Sequence, residues 1–413
     1  MKVLQINSVC GLGSTGRITT DIAATLTENN IESYIAYGRQ TSITNDHILR
    51  IGSKLDYYVH GGLTRLFDTH ALSGSRTATK RFIEQVKIID PDVIHLHNIH
   101  GYYLNVKIFF DYLRTSSKPV VWTLHDCWSF TGHCTHFSYA ECLKWVEGCH
   151  ECSEKRSYPA SAFIDNSKKN YQMKRELFTN LENVTIVTPS KWLANLVKKS
   201  FLAKHPVRVI YNGIDTDIFK PVVNESVRKK YKLGDRFIVL GVANLWNKRK
   251  GLHHFIELSK MIDNDCIIVL VGLNDQQITE LPRNIIGIKR TSNINELAQI
   301  YFAANVFVNP SVEETFGLVT AEALACGTPA IVFDSTPGVE IVSDGCGYIA
   351  EIHNIYDINK FIDQVRSDGK AFYSEQCVKR IELMFEKNER YEEYLSLYRW
   401  LYEQRKNSIS VVN

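Results

Sequence analysis

Short apolar runs alternate along the chain with longer stretches in which apolar residues recur every three or four positions. A parallel sheet with helical crossovers requires that alternation, and here it occurs twice. In the first half VLQIN (3–7), SYIAY (33–37), DVIHL (92–96), PVVWTL (119–124) and VTIVT (184–188) read as buried strands, with helices over 16–29, 74–89, 101–115 and 189–200. In the second half RFIVLGVAN (236–244), CIIVLVG (266–272), NIIGI (284–288), NVFVN (305–309) and PAIVF (329–333) repeat the scheme, with helices near 251–262, 293–303, 316–326 and 354–367. Pro, Gly and Asn between 205 and 235 interrupt the helical period and mark a seam. The expected organisation is therefore a first lobe over 1–207 with an irregular insertion at 126–160, a second over 208–387, and a terminal amphipathic helix over 388–413. Both lobes read as α/β, Rossmann-like and doubly wound. Ligands in such sheets sit beyond the carboxyl ends of the strands, so two lobes imply a cleft.

At 413 residues, with 44% hydrophobic and 23% charged residues, the chain fits two folded domains and excludes a disordered, collagen-like or coiled-coil protein. A net charge of +3 is too small to predict nucleic-acid binding. No signal-peptide core and no apolar stretch of about 18 residues is visible, so cytoplasmic residence is expected. Thiols stay reduced in that compartment, and clustered cysteines there point to metal or catalysis before disulfides.

Two segments carry candidate chemistry. The first strand runs into CGLGSTGR (10–17), where Gly11, Gly13 and Gly16 have the G-x-G-x-x-G spacing and a helix follows. Backbone amides at a helix N-terminus suit an anion. A nicotinamide site would want an acidic residue after the second strand, where Gly38, Arg39 and Gln40 stand instead. A plain strand-to-helix turn without ligand is the bland alternative. The second segment is VNPSVEETFGLVTAEALACGTPAIV (308–332), in which Glu314 and Glu322 flank the start of a helix. The amides of Phe316, Gly317, Leu318 and Val319 would offer an anion site for a diphosphate. A carboxylate beside a diphosphate is tolerable if it serves hydroxyls, so Glu314 suits a sugar and Glu322 a ribose. An acid-biased helix start stabilised by the macrodipole is the alternative for the pair alone.

The pair does not stand alone. With the Gly loop go P-D-V-I-H (91–95), T-x-H-D (123–126), V-x-P-S (187–190), Y-N-G-I-D-x-x-x-F (211–219), K-G (250–251) and E-x-F-G-L-V-x-x-E-A-x-A-x-G-x-P (314–329). In that order they resemble the retaining glycosyltransferases of the two-lobed GT-B architecture, family 4. HLHNIHGYYLN, WTLHDCWSFTGHC and NKRKGL resemble a bacterial subset of colanic-acid and other exopolysaccharide transferases. The resemblance implies a nucleotide-sugar donor, UDP before GDP, held mainly by the second lobe, and a glycan or lipid-linked acceptor held by the first. It implies no cofactor for catalysis and no catalytic Mg2+ or Mn2+. Lys250 would contact the diphosphate, Glu314 the transferred sugar and Glu322 the ribose. His125 would stand near the donor sugar, with Gly13, Gly16, Arg249 and Phe316 to Val319 in the donor site. His97, His100 and Asp126 are the acceptor-side candidates, while His95 reads as a buried, hydrogen-bonded histidine. One position departs from the family pattern: Asn244 stands where an arginine is usual, so Arg249 or Lys248 would supply the second cation. Another GT-B enzyme, an epimerase or a pyridoxal-phosphate phosphorylase, and a silent sugar-nucleotide binder are the alternatives.

Three further features are weighed separately. Asp215 and Asp217 form a D-x-D, a metal-diphosphate motif elsewhere, but inside the seam motif they read as structural. Five of the ten cysteines lie within 127–152, and Cys134, Cys142, Cys149 and Cys152 end in C-x-x-C. Structural zinc uses such thiolates, with Cys127, His133, His136 and His150 as spare ligands, against the alternatives of free buried thiols and of disulfides or redox chemistry. The basic segment 167–177 could give peripheral contact with the inner face of a membrane, against the alternative of a solvated charged helix face.

Overall fold

A computed structural model describes residues 1–222, 226–343 and 345–412, with side chains through Asn407. Residues 223–225 of the expected seam, Asp344 and Asn413 lie outside the described residues. The chain divides into two compact units, one of Met1–Tyr211 with Arg390–Asn413 and one of Asn212–Glu389.

The sheet of the first unit is built from β1 (Lys2–Cys10), β2 (Glu32–Thr41), β3 (Ile48–Arg50), β4 (Val93–Leu96), β5 (Val120–Thr123), β6 (Val184–Thr188) and β7 (Val207–Val209). Their order is β3-β2-β1-β4-β5-β6-β7, and every pairing is parallel. The second unit has β8 (Phe237–Val242), β9 (Cys266–Val271), β10 (Ile285–Ile288), β11 (Val306–Asn309), β12 (Ala330–Phe333) and β13 (Gly347–Ala350), ordered β10-β9-β8-β11-β12-β13 and again all parallel. Both doubly wound sheets expected from the sequence are present. β4, β5, β6, β9, β11 and β12 are buried at every position, because helices cover both faces of a parallel sheet. That burial is why they read as continuous apolar runs.

Strand order reverses beside β1, which pairs with both β2 and β4, and beside β8, which pairs with both β9 and β11. Such a switch point opens a crevice at the carboxyl ends of the strands. Each unit therefore has one place where its own topology favours a ligand.

Several elements depart from the sequence reading. β3 and β13 are short and half-exposed, so their apolar signal is weak. The helix Lys54–Phe67 was not expected, although Ser53 and Asp56 form a full capping box at its start. The helix expected over 101–115 begins at Val106, because Asn105 accepts from the Ile108 amide at 3.1 Å and caps it there. The first unit runs to Tyr211 rather than 207, since β7 still pairs with β6.

The terminal helix Lys387–Val412 belongs to the first unit from Arg390 onward. Tyr391, Tyr394, Leu395 and Tyr398 are buried in one cluster with Val3, Ile22, Val93 and Val121. Two of its phenols are also satisfied: Tyr398 Oη lies 2.6 Å from His95 Nδ1, and Tyr394 Oη 3.1 Å from Thr123 Oγ1.

The basic segment forms the helix Ser167–Thr179, with Ser167, Asn170, Tyr171, Lys174 and Phe178 on its buried face. Lys168, Lys169 and Arg175 are exposed but Lys174 is not, so the basic surface is smaller than the sequence suggests. The Lys174 ammonium donates to Trp128 O at 2.7 Å and Thr131 O at 3.0 Å and lies 3.5 Å from the Trp128 ring centroid. Among the described residues, no helix is long and apolar enough to cross a membrane.

Candidate active site

In the second unit, the loops leaving β8 and β11 meet at the switch point. After β8 the chain makes a tight turn, Lys248–Lys250, fixed by Asn247, whose side chain accepts from the Lys250 amide at 3.0 Å. Gly251 follows at φ +77°, and a Cβ there would lie 2.4 Å from Pro310 O, so only glycine lets this turn approach the loop after β11. The two loops are then tied together. Arg249 Nη1 donates to Glu313 O at 2.8 Å, the Val312 amide donates to Arg249 O at 3.1 Å, and Lys250 Nζ donates to Glu314 Oε1 in a tight ion pair. Burial alone would raise the Glu314 pKa, but Lys250 and then Arg249 hold the carboxyl below its ordinary value. Glu314 is thus ionised at neutral pH.

The helix Leu318–Ala325 starts after Gly317, at φ +100°, and no side chain caps it. Its first amides can therefore serve an external acceptor. Phe316 contributes no side chain to the opening, because its ring is buried against Phe385 at 5.6 Å. Glu322 is buried within the helix, and Tyr301 Oη donates to its Oε2 at 3.0 Å. That tyrosine comes from the neighbouring helix Ile294–Ala303 and no local sequence signal pointed to it. Of the cations considered for the place left by Asn244, Arg249 is committed to the Glu313 carbonyl, while Lys248 is exposed. Asp215 accepts from Lys387 Nζ at 2.6 Å and from the Asp217 and Ile218 amides, so it organises the seam.

In the first unit the carboxyl ends of β1, β4 and β5 gather glycines and histidines. Gly16 lies inside the helix Gly13–Glu28, and its carbonyl accepts from the Gly11 amide at 3.0 Å. A Cβ on Gly16 would stand 3.1 Å from Gly11 N and 3.2 Å from Val9 Cγ2, so the glycine serves close packing of helix on strand. The Gly11 amide is thereby used within the loop, while the helix start at Gly13 carries no side-chain cap. Gly13, at φ +64°, has nothing within 4 Å of its Cβ position and faces open space.

His95 is fully buried, between Thr123 Oγ1 at 2.7 Å and Tyr398 Oη at 2.6 Å. His97 is also buried and does not present a free ring to an acceptor. Its Nδ1 lies 3.0 Å from His125 Nε2, the two rings stacked at 10°, and its Nε2 lies 3.1 Å from Gln5 Oε1. Gln5 gives its amide N–H to Thr19 O at 2.9 Å, so its Oε1 accepts from His97 Nε2–H. Burial lowers His97 well below the usual histidine range, the ring is neutral, and its Nδ1 must accept from His125 Nε2–H. Gln5 and His97 thereby fix the tautomer of His125. Burial likewise lowers His125 to about 4, with Asp126 opposing. Asp126 accepts from His100 Nε2 at 2.8 Å and from the Trp128 amide at 2.9 Å, and its pKa falls to about 2 because burial is outweighed by His100.

The insertion carries the cysteines, and all ten in the chain are free. The Cys134 thiol is buried and hydrogen-bonded with Cys152; that bond and then burial raise it, while the same bond holds Cys152 below the usual thiol range. Cys149 Sγ accepts from the Gly132 amide at 3.2 Å. Cys142 and Cys149 pack against the same apolar cluster as Cys127 and Cys134. Of the spare ligands, His133 is engaged by Asp68 at 2.5 Å and His136 by Thr135 at 2.9 Å, while His150 Nδ1 meets Gly148 O at 3.0 Å.

Residues 15–218 match the family described as glycosyltransferase family 4, and residues 223–383 match glycosyl transferases group 1. WcaC of Escherichia coli (strain K12), named as a glycosyl transferase of colanic acid biosynthesis, is 28% identical over 378 residues, 84% of this chain and 86% of that protein. Among solved structures, sucrose-phosphate synthase from Thermosynechococcus elongatus shares the fold at a TM-score of 0.73 and 17% identity, over 98% of this chain and 99% of that one. HepE of Anabaena in complex with UDP-glucose does so at a TM-score of 0.64 and 15% identity, over 96% and 99%. Both units are matched in sequence order and both sheets have the shared doubly wound form, so the chain belongs to the GT-B glycosyltransferases of family 4.

Proposed function

We propose that the protein transfers a sugar, with retention of anomeric configuration, from a nucleoside-diphosphate sugar to a glycan or lipid-linked acceptor in bacterial polysaccharide assembly. UDP is the favoured nucleotide and GDP the next. One observation carries this reading. Lys250 and Glu314, 64 residues apart, pair at the switch point of the second sheet, just before an uncapped helix start. A cation, ordered amides and an ionised carboxylate are what a sugar diphosphate needs in one place.

In this reading the donor diphosphate takes Lys250 and the amides of Gly317 to Val319. Lys250 then shifts from Glu314 to phosphate, and Glu314 is freed to accept hydroxyls of the transferred sugar. As the bond from the anomeric carbon to the diphosphate breaks, negative charge grows on the leaving oxygen, where the ammonium and amides stabilise it. Glu322, held by Tyr301, takes ribose hydroxyls. With a pKa near 4, His125 is a poor base at neutral pH. It therefore positions hydroxyls, and the leaving phosphate takes the acceptor proton. No divalent ion enters these steps. The names of WcaC and of the HepE complex support an exopolysaccharide product and a UDP-sugar donor.

A thermal-shift panel of UDP-, GDP- and ADP-sugars tests the donor. A ligand at 100 times its Kd adds about 2.7 kcal/mol, so a UDP-sugar is expected to raise the Tm clearly, in the presence of EDTA as in its absence. No response to any of the nucleotide sugars would reject the reading.

The donor set of the insertion suits structural zinc, because thiolates are the usual donors of closed zinc sites and Cys134 touches Cys152, although no three of these sulfurs lie within 4.8 Å of one another in the structure. Cys134, Cys142, Cys149 and Cys152 would hold the ion, which would brace the loop. Zinc binding displaces thiol protons. Protein purified without a His-tag is expected to carry near one zinc at these thiols, lost in Cys134→Ser. Less than about 0.2 zinc per chain would contradict it.

A further inference from the structure

Away from the switch point, the helix Leu252–Leu258 and the turn after β13 bring three histidines together. His253, His254 and His353 each offer a ring nitrogen, and these nitrogens all lie within 4.8 Å of one another. No other group of three or more histidine, cysteine, aspartate or glutamate side chains reaches that arrangement among the described residues. We infer that His253, His254 and His353 form a binding site for a divalent transition-metal ion of the zinc type.

The geometry is specific. His254 Nε2 and His353 Nδ1 are 3.2 Å apart. Two imidazole nitrogens each about 2.05 Å from a tetrahedral ion stand about 3.3 Å from one another. A direct hydrogen bond between the two rings has a similar length, but it leaves Nδ1 of His253 and Nδ1 of His254 both buried without a partner. Native interiors rarely tolerate such orphans, and an ion taken by Nδ1 of His253 removes one of them. The chain also holds His353 at φ +63°, a left-handed conformation that a side-chain-bearing residue adopts at a cost and that clusters at ligand clamps. Glu257, four residues after His253 and hence on the same helix face, lines with His353 a cleft of about 600 Å³. Glu257 stands outside the three-histidine group, and three imidazoles with a fourth position open to the cleft suit zinc.

The consequence is a clamp. The ion would join the helix that follows the Lys248–Lys250 turn to the end of the last strand, within the second unit alone. It takes no part in the transfer steps and stands or falls apart from them.

The test uses the untagged full chain, stripped with chelator and titrated with Zn2+ against a chromophoric competitor. Wild type is expected to bind one equivalent more than His353→Ala and one more than His253→Gln, both at exposed or half-buried positions. That equivalent should persist in Cys134→Ser and Cys149→Ser, and Co2+ bound there should lack a thiolate charge-transfer band. Affinity at this site should fall at least about tenfold on loss of either histidine, and the rise in Tm with Zn2+ should shrink in both variants. Equal stoichiometry in wild type and either histidine variant would overturn the site, as would a Co2+ spectrum made only of thiolate ligation.

Discussion

Glu314→Ala is expected to lower sugar transfer by about 100- to 1,000-fold, the cost of losing one preorganised polar contact to a transition state. Nucleotide affinity should stay within about threefold, because the contacts assigned to the diphosphate come from Lys250 and the helix amides. The Glu314 side chain is 13% exposed and that of Lys250 19%, so the loss leaves Lys250 able to reach water, and an unchanged Tm checks that the variant folds. Lys250→Ala provides the contrast: it removes the cation from the leaving group, so both nucleotide binding and turnover should fall. Steady-state rates with the donor found by thermal shift, together with nucleotide titrations, separate the two variants. Unchanged turnover in Glu314→Ala would sink the proposed mechanism.

Lys174→Ala should cost the first unit about 3–5 kcal/mol, through a cavity and the loss of its buried partner. The side chain is fully buried, and its removal leaves the carbonyls of Trp128 and Thr131 without their donor. Chemical denaturation followed by tryptophan fluorescence reads this directly, because Trp122, Trp128, Trp145, Trp192 and Trp400 lie in the first unit and only Trp246 in the second. The same lysine sets a pH dependence. Burial lowers its pKa from 10.5 to about 7 in the folded protein. Between those values the unfolded chain binds the extra proton and the folded one does not, so stability rises with pH across the window. Lys174→Met keeps the volume and removes the titration, and its stability should rise less from about pH 7 to 10.5. Identical pH profiles for the two proteins would refute the burial of this amine.

Much of the frame is local in origin and could be read in the chain. β1, β4, β5, β6, β8, β9, β11 and β12 announce themselves because strands covered on both faces are mostly apolar. The weak spots are physical too: β3 and β13 are edge strands with half-exposed positions, and the capping box at Ser53 is followed by exposed Leu55, Tyr58 and Val59, which blur the helical period. Glu314, Gly317 and Glu322 could be singled out because a turn, a glycine and a helix start fall within one segment, and Lys250 because K-G resembles a family motif; the pairing of Lys250 with Glu314 across 64 residues is the work of the fold.

What the chain could not announce are partners set by packing across long separations. Tyr398 meets His95 across 303 residues, Gln5 meets His97 across 92, and Tyr301 meets Glu322 from another helix. His97 was an acceptor-side candidate by its place after β4, and the fold made it the fixed neighbour of His125. Lys174 was a surface charge by composition, and the fold placed it under Trp128. Gly16 carried a phosphate-loop spacing, and the fold used it to bring helix and strand together. Periodicity, caps and turns depend on a few consecutive residues, and the sequence by itself determined them. Burial, tautomer and charge state depend on which distant atoms exclude water or supply the matching donor, and only the tertiary structure decided those.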